Sequence, residues 1–241
     1  MNLPSDPWDR HADWWQREFT EGADPEYVEQ ILPLIAGRLP TAGRLLDVGC
    51  GDGQVARMAT AAGLQAIGVD PAGAQVRTAT DRGGPSYSQA SAIHLPVADA
   101  SVDVAVACLV FEHIAEFRAA LAEVARVLIP GGRFLFLLNH PLLQTPDSGW
   151  IDDHVLDPPE QYWRIGPYLT EAETAEQVEE GVWITFHHRP LSAYLNTAIE
   201  AGLTLERMDE PAPPPGFVAR APEYGQVTSI PRLLALQFRR R

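Results

Sequence analysis

Three glycines at alternate positions, Gly49, Gly51 and Gly53, close the run Leu45-Leu-Asp-Val-Gly-Cys-Gly-Asp-Gly53. Asp47 lies two residues before the first of them, and Asp70 lies 17 residues beyond the last. Glycines at this density permit a tight turn and let a ligand approach the backbone closely. The short apolar run before them reads as a buried strand. The stretch after them reads as a helix, whose first N–H groups lack intrahelical partners. Strand, glycine loop and helix in this order bind a nucleotide-like cofactor at the carboxyl edge of a parallel sheet.

Spacing selects among such cofactors. The dinucleotide fingerprint G-x-G-x-x-G needs a third glycine where this chain has Gln54. The pattern is G-x-G-x-G instead. Asp47 opposes a pyrophosphate but suits an ammonium group. Asp70 ends the next apolar run, where a carboxylate can hold ribose hydroxyls. One acid for an ammonium and one for a ribose describe S-adenosylmethionine, with S-adenosylhomocysteine as its product, better than NAD.

Other chemistry-bearing residues are few. His140 precedes Pro141 at the end of an apolar run and is a candidate base. His113 follows another such run and reads as support for the cofactor site, with a catalytic role as the alternative. His187 and His188 are adjacent, so in a strand at most one faces a pocket. Cys50 and Cys108 read as packing residues, and two cysteines make neither a disulfide framework nor a four-cysteine zinc site. No H-x-x-x-H or C-x-x-C spacing occurs, so no metal is expected. All 18 basic residues are arginines, which excludes lysine Schiff-base chemistry and the P-loop lysine. A base, if used, is histidine, a carboxylate, tyrosine or water. The aromatic candidates for a substrate wall are Trp14, Trp15, Trp150, Tyr162, Trp163 and Tyr168.

The elements that position these residues alternate. Strands are expected over 44–49, 65–70, 86–89, 102–109 and 132–138, with helices over 54–62, 71–80 and 114–128. Pro130-Gly131-Gly132 reads as a turn. Such alternation is the mark of a doubly wound α/β sheet. Upstream, a helix is expected within 9–19. A second, entered through Asp24-Pro25, carries an apolar stripe through Tyr27, Ile31 and Ile35 and a kink at Pro33. Residues 140–186 break the pattern, apart from a strand near 181–188. A helix over 191–201, a strand over 203–208, a Pro-rich loop and a last strand over 233–239 follow. That last strand should be antiparallel, since a loop without a helix precedes it.

Composition bounds the rest. The 241 residues are 46% hydrophobic with a formal charge of −14, enough for a full core without disulfides. The acidic balance argues against nucleic acid, and Arg239 to Arg241 read as a solvated tail. The first residues lack a signal-peptide pattern and no apolar run reaches membrane-spanning length. A cytoplasmic setting without membrane association is therefore expected.

The chain resembles a class I S-adenosylmethionine-dependent methyltransferase of the small-molecule type, similar to the ubiquinone/menaquinone methyltransferase group. Leu45 to Gly53 resembles the family's first motif and Gly68-Val-Asp70 its second. Ala90 to Pro96 with Ser101-Val-Asp103 resembles its D-A-x-x-L-P…S-F-D segment. Val106 to Ile114 resembles the fourth motif, and Leu121 to Phe136 the approach to strand five. The resemblance covers about residues 40–140, and more loosely 188–211. It implies that Gly49, Cys50 and Gly51 line the methionine portion by backbone, with Gly53 also among the cofactor-binding residues. Asp47 would sit near the amino group, Asp70 would bind the ribose and Pro71 would pack on adenine. Ser91 and Ala92 would flank the adenine edge, and Leu109 would offer its carbonyl to the ammonium. Ser91 stands where the family has Asp, so that bond should be weaker. Val102 replaces an aromatic.

The expected fold is thus a doubly wound, mostly parallel seven-stranded sheet in a single domain. Residues 1–40 form a helical cap and 41–139 the cofactor-binding core. Residues 140–186 form a lid or substrate insertion after strand five, and 187–241 complete the sheet. The expected activity is methyl transfer to an O, N or C nucleophile of a small molecule, either a secondary metabolite or a quinone-like aromatic. The alternatives are a cofactor-binding protein without transferase activity and an NAD-dependent oxidoreductase, the latter opposed by Gln54.

Overall fold

The computed structural model describes residues 7–155, 157–221 and 228–241. The first six residues, read above for a leader, lie outside it. After a 3-10 turn at Pro7–Arg10, helix α1 spans Ala12–Phe19. The second helix is entered through Asp24, whose side chain accepts from the Glu26 N–H at 3.0 Å. It winds as a π-helix over Tyr27–Ile31 before α2, Leu32–Ala36. The kink expected at Pro33 takes this form because proline offers no N–H and its ring crowds the carbonyl four residues back. The Leu32 N–H reaches back to Tyr27 instead.

The core alternates as expected: β1 Arg44–Val48, α3 Gln54–Ala61, β2 Gln65–Asp70, α4 Gly73–Asp81, β3 Ser86–Gln89, β4 Val102–Cys108, α5 Phe117–Val127 and β5 Leu128–Asn139. Beyond it come β6 Gly149–Asp153, β7 Glu160–Arg164, β8 Ala172–Glu179, β9 Val182–His188, α6 Leu191–Glu200, β10 Leu203–Asp209, α7 Pro215–Arg220 and β11 Leu233–Arg240. Seven strands form one sheet in the order β10-β11-β5-β4-β1-β2-β3. The strands from β3 to β5 run parallel, while β11 is antiparallel to both β5 and β10.

Period-two alternation divides the apolar side chains between two layers. Leu46, Ala105, Phe134 and Phe136 face α5 and α6, against Phe117, Leu121, Tyr194 and Ala198. Leu45, Val104, Leu135 and Leu137 face α2 and α3, against Tyr27, Ile31, Ile35 and Ala56. Both faces of the central strands are therefore covered, which is why they read as continuous apolar runs.

Three expectations change. Pro130-Gly131-Gly132 is not a turn before the strand but a bulge inside β5. Val102 pairs with Leu128 and Val104 with Arg133, so the loop is absorbed by a register shift with Gly131 at φ +79°. The Pro-rich connection to β11 contains α7, with Pro215 in its first turn, where a missing N–H costs nothing. Residues 140–186 hold two antiparallel hairpins, β6–β7 and β8–β9, rather than one strand. Among the described residues no helix is long and apolar enough to cross a membrane.

Candidate functional site

In a doubly wound sheet the ligand crevice opens beyond the carboxyl ends of the strands where their order reverses. Here that point is β1, flanked by β2 and β4. A cavity of about 390 Å³ opens there, within the range of small-molecule sites.

The glycine loop forms its floor. The Gly49 and Cys50 N–H groups both donate to the Val69 carbonyl, at 2.8 and 2.9 Å, which folds the loop over β2. Gly49 has φ +71°, and a Cβ there would lie 2.5 Å from Val110. Gly51 has φ +52°, with the Trp15 indole nitrogen 3.6 Å from where its Cβ would be. Both glycines line the cavity, as does Cys50. Burial pushes the Cys50 thiol up, helped by the nearby acids Asp47 and Asp70, so it stays protonated. Gly53 does not line the cavity. It begins α3 at φ +84°, and any Cβ would collide with the Tyr87 ring. The loop turn and this packing explain the glycine without a cofactor contact.

The two acids stand at the ends of β1 and β2. Asp47 is 2% exposed, and its Oδ2 accepts from the Ala56 N–H at 3.0 Å, tying the strand to the first turn of α3. Burial pushes its carboxyl up to about 7, with the charges of Asp70 and Asp52 adding to the effect and the Ala56 bond opposing it. Asp70 accepts from the Gly51 N–H at 2.9 Å through Oδ2, and from the Ala72 N–H at 2.9 Å through Oδ1. Asp70 also lines the cavity, so the carboxylate that holds the loop stands where a ligand would meet it. Pro71, Ser91 and Ala92 line the same cavity. Ser91 Oγ accepts from the Ile93 N–H at 3.4 Å. Leu109 lines it too and takes φ +56°, a conformation costly for a branched side chain and concentrated at functional sites. Gln54 lines the cavity at the position a dinucleotide site would give to glycine.

The histidines separate. His113 lines the cavity, and its Nδ1–H donates to the Thr185 carbonyl at 2.8 Å, leaving Nε2 with the lone pair. Burial lowers its pKa to about 4. His140 is not among the lining residues. Its Nδ1 accepts from the Leu142 N–H at 3.2 Å, and its Nε2 bonds the Glu210 carboxylate at 2.8 Å. Both ring nitrogens are committed away from the cavity, which corrects the expectation of a base there. His187 lines the cavity, while His188 is buried with Nε2 on the Tyr168 carbonyl, as opposite strand faces require.

Of the aromatic candidates Trp15 lines the cavity; Trp14, Trp150, Tyr162, Trp163 and Tyr168 do not. Trp163 lines a separate polar pocket with Arg232 and Glu176. Trp8 completes the wall edge-on, 5.8 Å from Trp15 and 4.9 Å from His113. Sequence reasoning also missed Arg189. Its buried guanidinium donates to the carbonyls of Phe111, Ile114 and Ala115 and lies 4.2 Å over the Phe117 ring, bracing the loop that carries His113. In the sequence it stands between His188 and Pro190 with nothing to mark it. Among the described residues no group of three His, Cys, Asp or Glu could hold a metal ion.

A glycine loop, two strand-end acids and a strained Leu109 around one cavity, at the switch point of this sheet order, define a Rossmann-like class I methyltransferase. The comparisons give the family. A methyltransferase-domain family profile matches residues 46–136. An O-methyltransferase of Pyrenophora dematioidea is 32% identical over 212 residues, covering 77% of this chain and 74% of its own. The 27-O-demethylrifamycin SV methyltransferase of Amycolatopsis mediterranei is 35% identical over 146 residues, 56% of this chain and 53% of its own. The matched stretch spans only about half the length of that relative and of O-methyltransferase resE of Aspergillus sclerotiorum. A crystal structure of an S-adenosylmethionine-dependent methyltransferase from Mesorhizobium loti superposes with a TM-score of 0.74 at 27% identity, covering 86% of this chain and 96% of that one. The chain belongs to the S-adenosylmethionine-dependent methyltransferases.

Proposed function

We propose that the protein transfers a methyl group from S-adenosylmethionine to an oxygen of a small molecule. The observation that carries this is the cavity at the ends of β1, β2 and β4, where Asp47, the Gly49–Gly51 loop, Asp70 and Leu109 meet. The choice of oxygen follows relatives named as O-methyltransferases.

The residues fit the cofactor. Gly49 and Gly51 leave the cradle that a Cβ would fill or strain. Asp47 and the Leu109 carbonyl would hold the ammonium group, Asp70 the ribose, Pro71 the adenine face, and Ser91 with Ala92 the adenine edge. Bound there, the cofactor supplies an electrophilic methyl on a sulfonium. The chain supplies orientation, worth up to about 7–11 kcal/mol in favourable cases. Trp8 and Trp15 supply a desolvated aromatic wall that attracts a cation. The N-terminal cap and the β8–β9 hairpin act as the lid that keeps water out.

Calorimetry tests the assignment. Wild-type protein should bind S-adenosylmethionine and S-adenosylhomocysteine, and Asp70→Ala should weaken both by about 10-fold or more through loss of charge-assisted bonds. Unchanged affinity would remove Asp70 from the ribose site.

A further inference from the structure

The inserted hairpin brings to the cavity a pair of side chains that the cofactor contacts leave unused. Thr185 and His187 lie two apart on β9 and both line the cavity. His187 sits opposite Glu173 across the hairpin, and the Glu173 carboxylate stands 3.7 Å from His187 Nδ1. The His187 side chain is 13% exposed and that of Glu173 70%. The ring thus belongs to the cavity and its acid to the solvent. With Nδ1 turned to Glu173, Nε2 is the nitrogen left for a ligand. His113 differs, since it is clamped by the Thr185 carbonyl and packed between Trp8 and Phe186.

Resting on the methyl-transfer reading above, we propose that His187 is the catalytic proton acceptor for a phenol-like hydroxyl, with Glu173 as its positioning residue. The O–H proton passes to His187 Nε2. An oxygen lone pair forms the O–CH₃ bond, and the S–CH₃ bond of the sulfonium donor breaks with its electron pair left on sulfur. The imidazolium pairs with Glu173, whose exposure lets the proton leave to water.

The surroundings support this sequence. Burial and the Arg189 charge lower the pKa of His187, while Glu173 and Glu116 raise it; His113 is the neighbouring neutral ring. The resting ring is therefore neutral and able to accept. His113, held to about 4, is a far weaker base. Tyr27 and Cys108, which also line the cavity, are pushed up by burial and keep their protons. Glu116 is exposed and solvated. The wall of Trp8 and Trp15 suits an aromatic acceptor.

The test uses 4-nitrophenol, whose phenol and phenolate differ in colour, as a non-transferring probe in the S-adenosylhomocysteine complex. Cofactor-product binding is measured first by calorimetry; its absence in wild type overturns the methyl-transfer reading and this assignment with it. Where it holds, the apparent pKa of bound 4-nitrophenol should be lower in wild type than in His187→Gln by about 1 unit or more, with Glu173→Gln between. Equal values in wild type and His187→Gln, or no saturable binding of the probe, would overturn the assignment of His187. In the wild-type complex, ¹⁵N shifts independent of any variant should put the His187 proton on Nδ1; a proton on Nε2 would overturn it equally.

Discussion

Asp47 is a buried carboxyl on the wall of the cavity. Its pKa is raised to about 7, so below that pH the folded protein holds a proton that the unfolded chain has already released above about 4. Glu112 behaves alike, raised to about 7 by burial, with Asn139 bonded to its Oε1 and Oε2 without a partner among the described residues. Between about pH 4 and 7 the native state binds more protons than the unfolded state, so these two groups make stability fall as pH rises and level off above. Binding runs the other way. An ammonium group beside Asp47 favours the carboxylate, so cofactor affinity should rise with pH through about 7 and binding should release a proton below it. Calorimetry in two buffers of different ionisation enthalpy reads that proton. Asp47→Asn should abolish the release, and a release that persists would place the titrating group elsewhere.

At the scale of elements, the turn that carries His113 is held from outside itself. Phe111–His113 is a single 3-10 turn, too short to be stable alone. Arg189, just beyond β9, donates to the Phe111 carbonyl in the turn and to those of Ile114 and Ala115 directly after it, and Glu112 ties the turn to Asn139 at the end of β5. Arg189→Ala would take this donor from the Ile114 and Ala115 carbonyls and empty the space over Phe117. It should cost about 3 kcal/mol in denaturant unfolding. Arg189→Lys should recover only part, because an ammonium cannot fork to three carbonyls while stacking on a ring. Full recovery by lysine would show that charge, rather than the planar fork, holds the turn.

For the molecule as a whole, the cavity joins parts distant in sequence. Trp8 and Trp15 come from the N-terminal cap, Asp47 and Asp70 from β1 and β2, and Thr185 and His187 from the inserted hairpin. A ligand seated there couples them, so S-adenosylhomocysteine should slow amide hydrogen exchange in residues 8–19, 109–116 and 182–188 together. No described residue of the β6–β7 hairpin lines the cavity, and that hairpin should exchange as before. Equal slowing of both hairpins would make the whole of 140–186 a lid rather than its second half.

What could be read from the chain alone was local or periodic. The glycine spacing, the acids ending two apolar runs and the strand–helix alternation are set by backbone sterics and by burial on both sheet faces, which leave their mark residue by residue. The last strand is antiparallel as expected, although the expectation rested on a connection without a helix and that connection contains α7. Hidden features depended on partners far away in sequence. Strand β8 carries Glu173, Glu176 and Glu179 and is exposed along most of its length, so no alternation announces it; only pairing with β9 makes it a strand. His140 directly follows β5 on the expected edge, yet Glu210, 70 residues later, bonds its ring away from the cavity. Trp8, Arg189 and the Glu173–His187 pair reach their places because the fold closes the chain on itself. Local signals in the chain were enough to announce the alternating sheet and the glycine loop at its switch point. Which histidines face the cavity, His113 and His187 rather than His140, came only with the tertiary structure, because a side chain's direction is set by its hydrogen-bond partners across the fold and not by its neighbours in the chain.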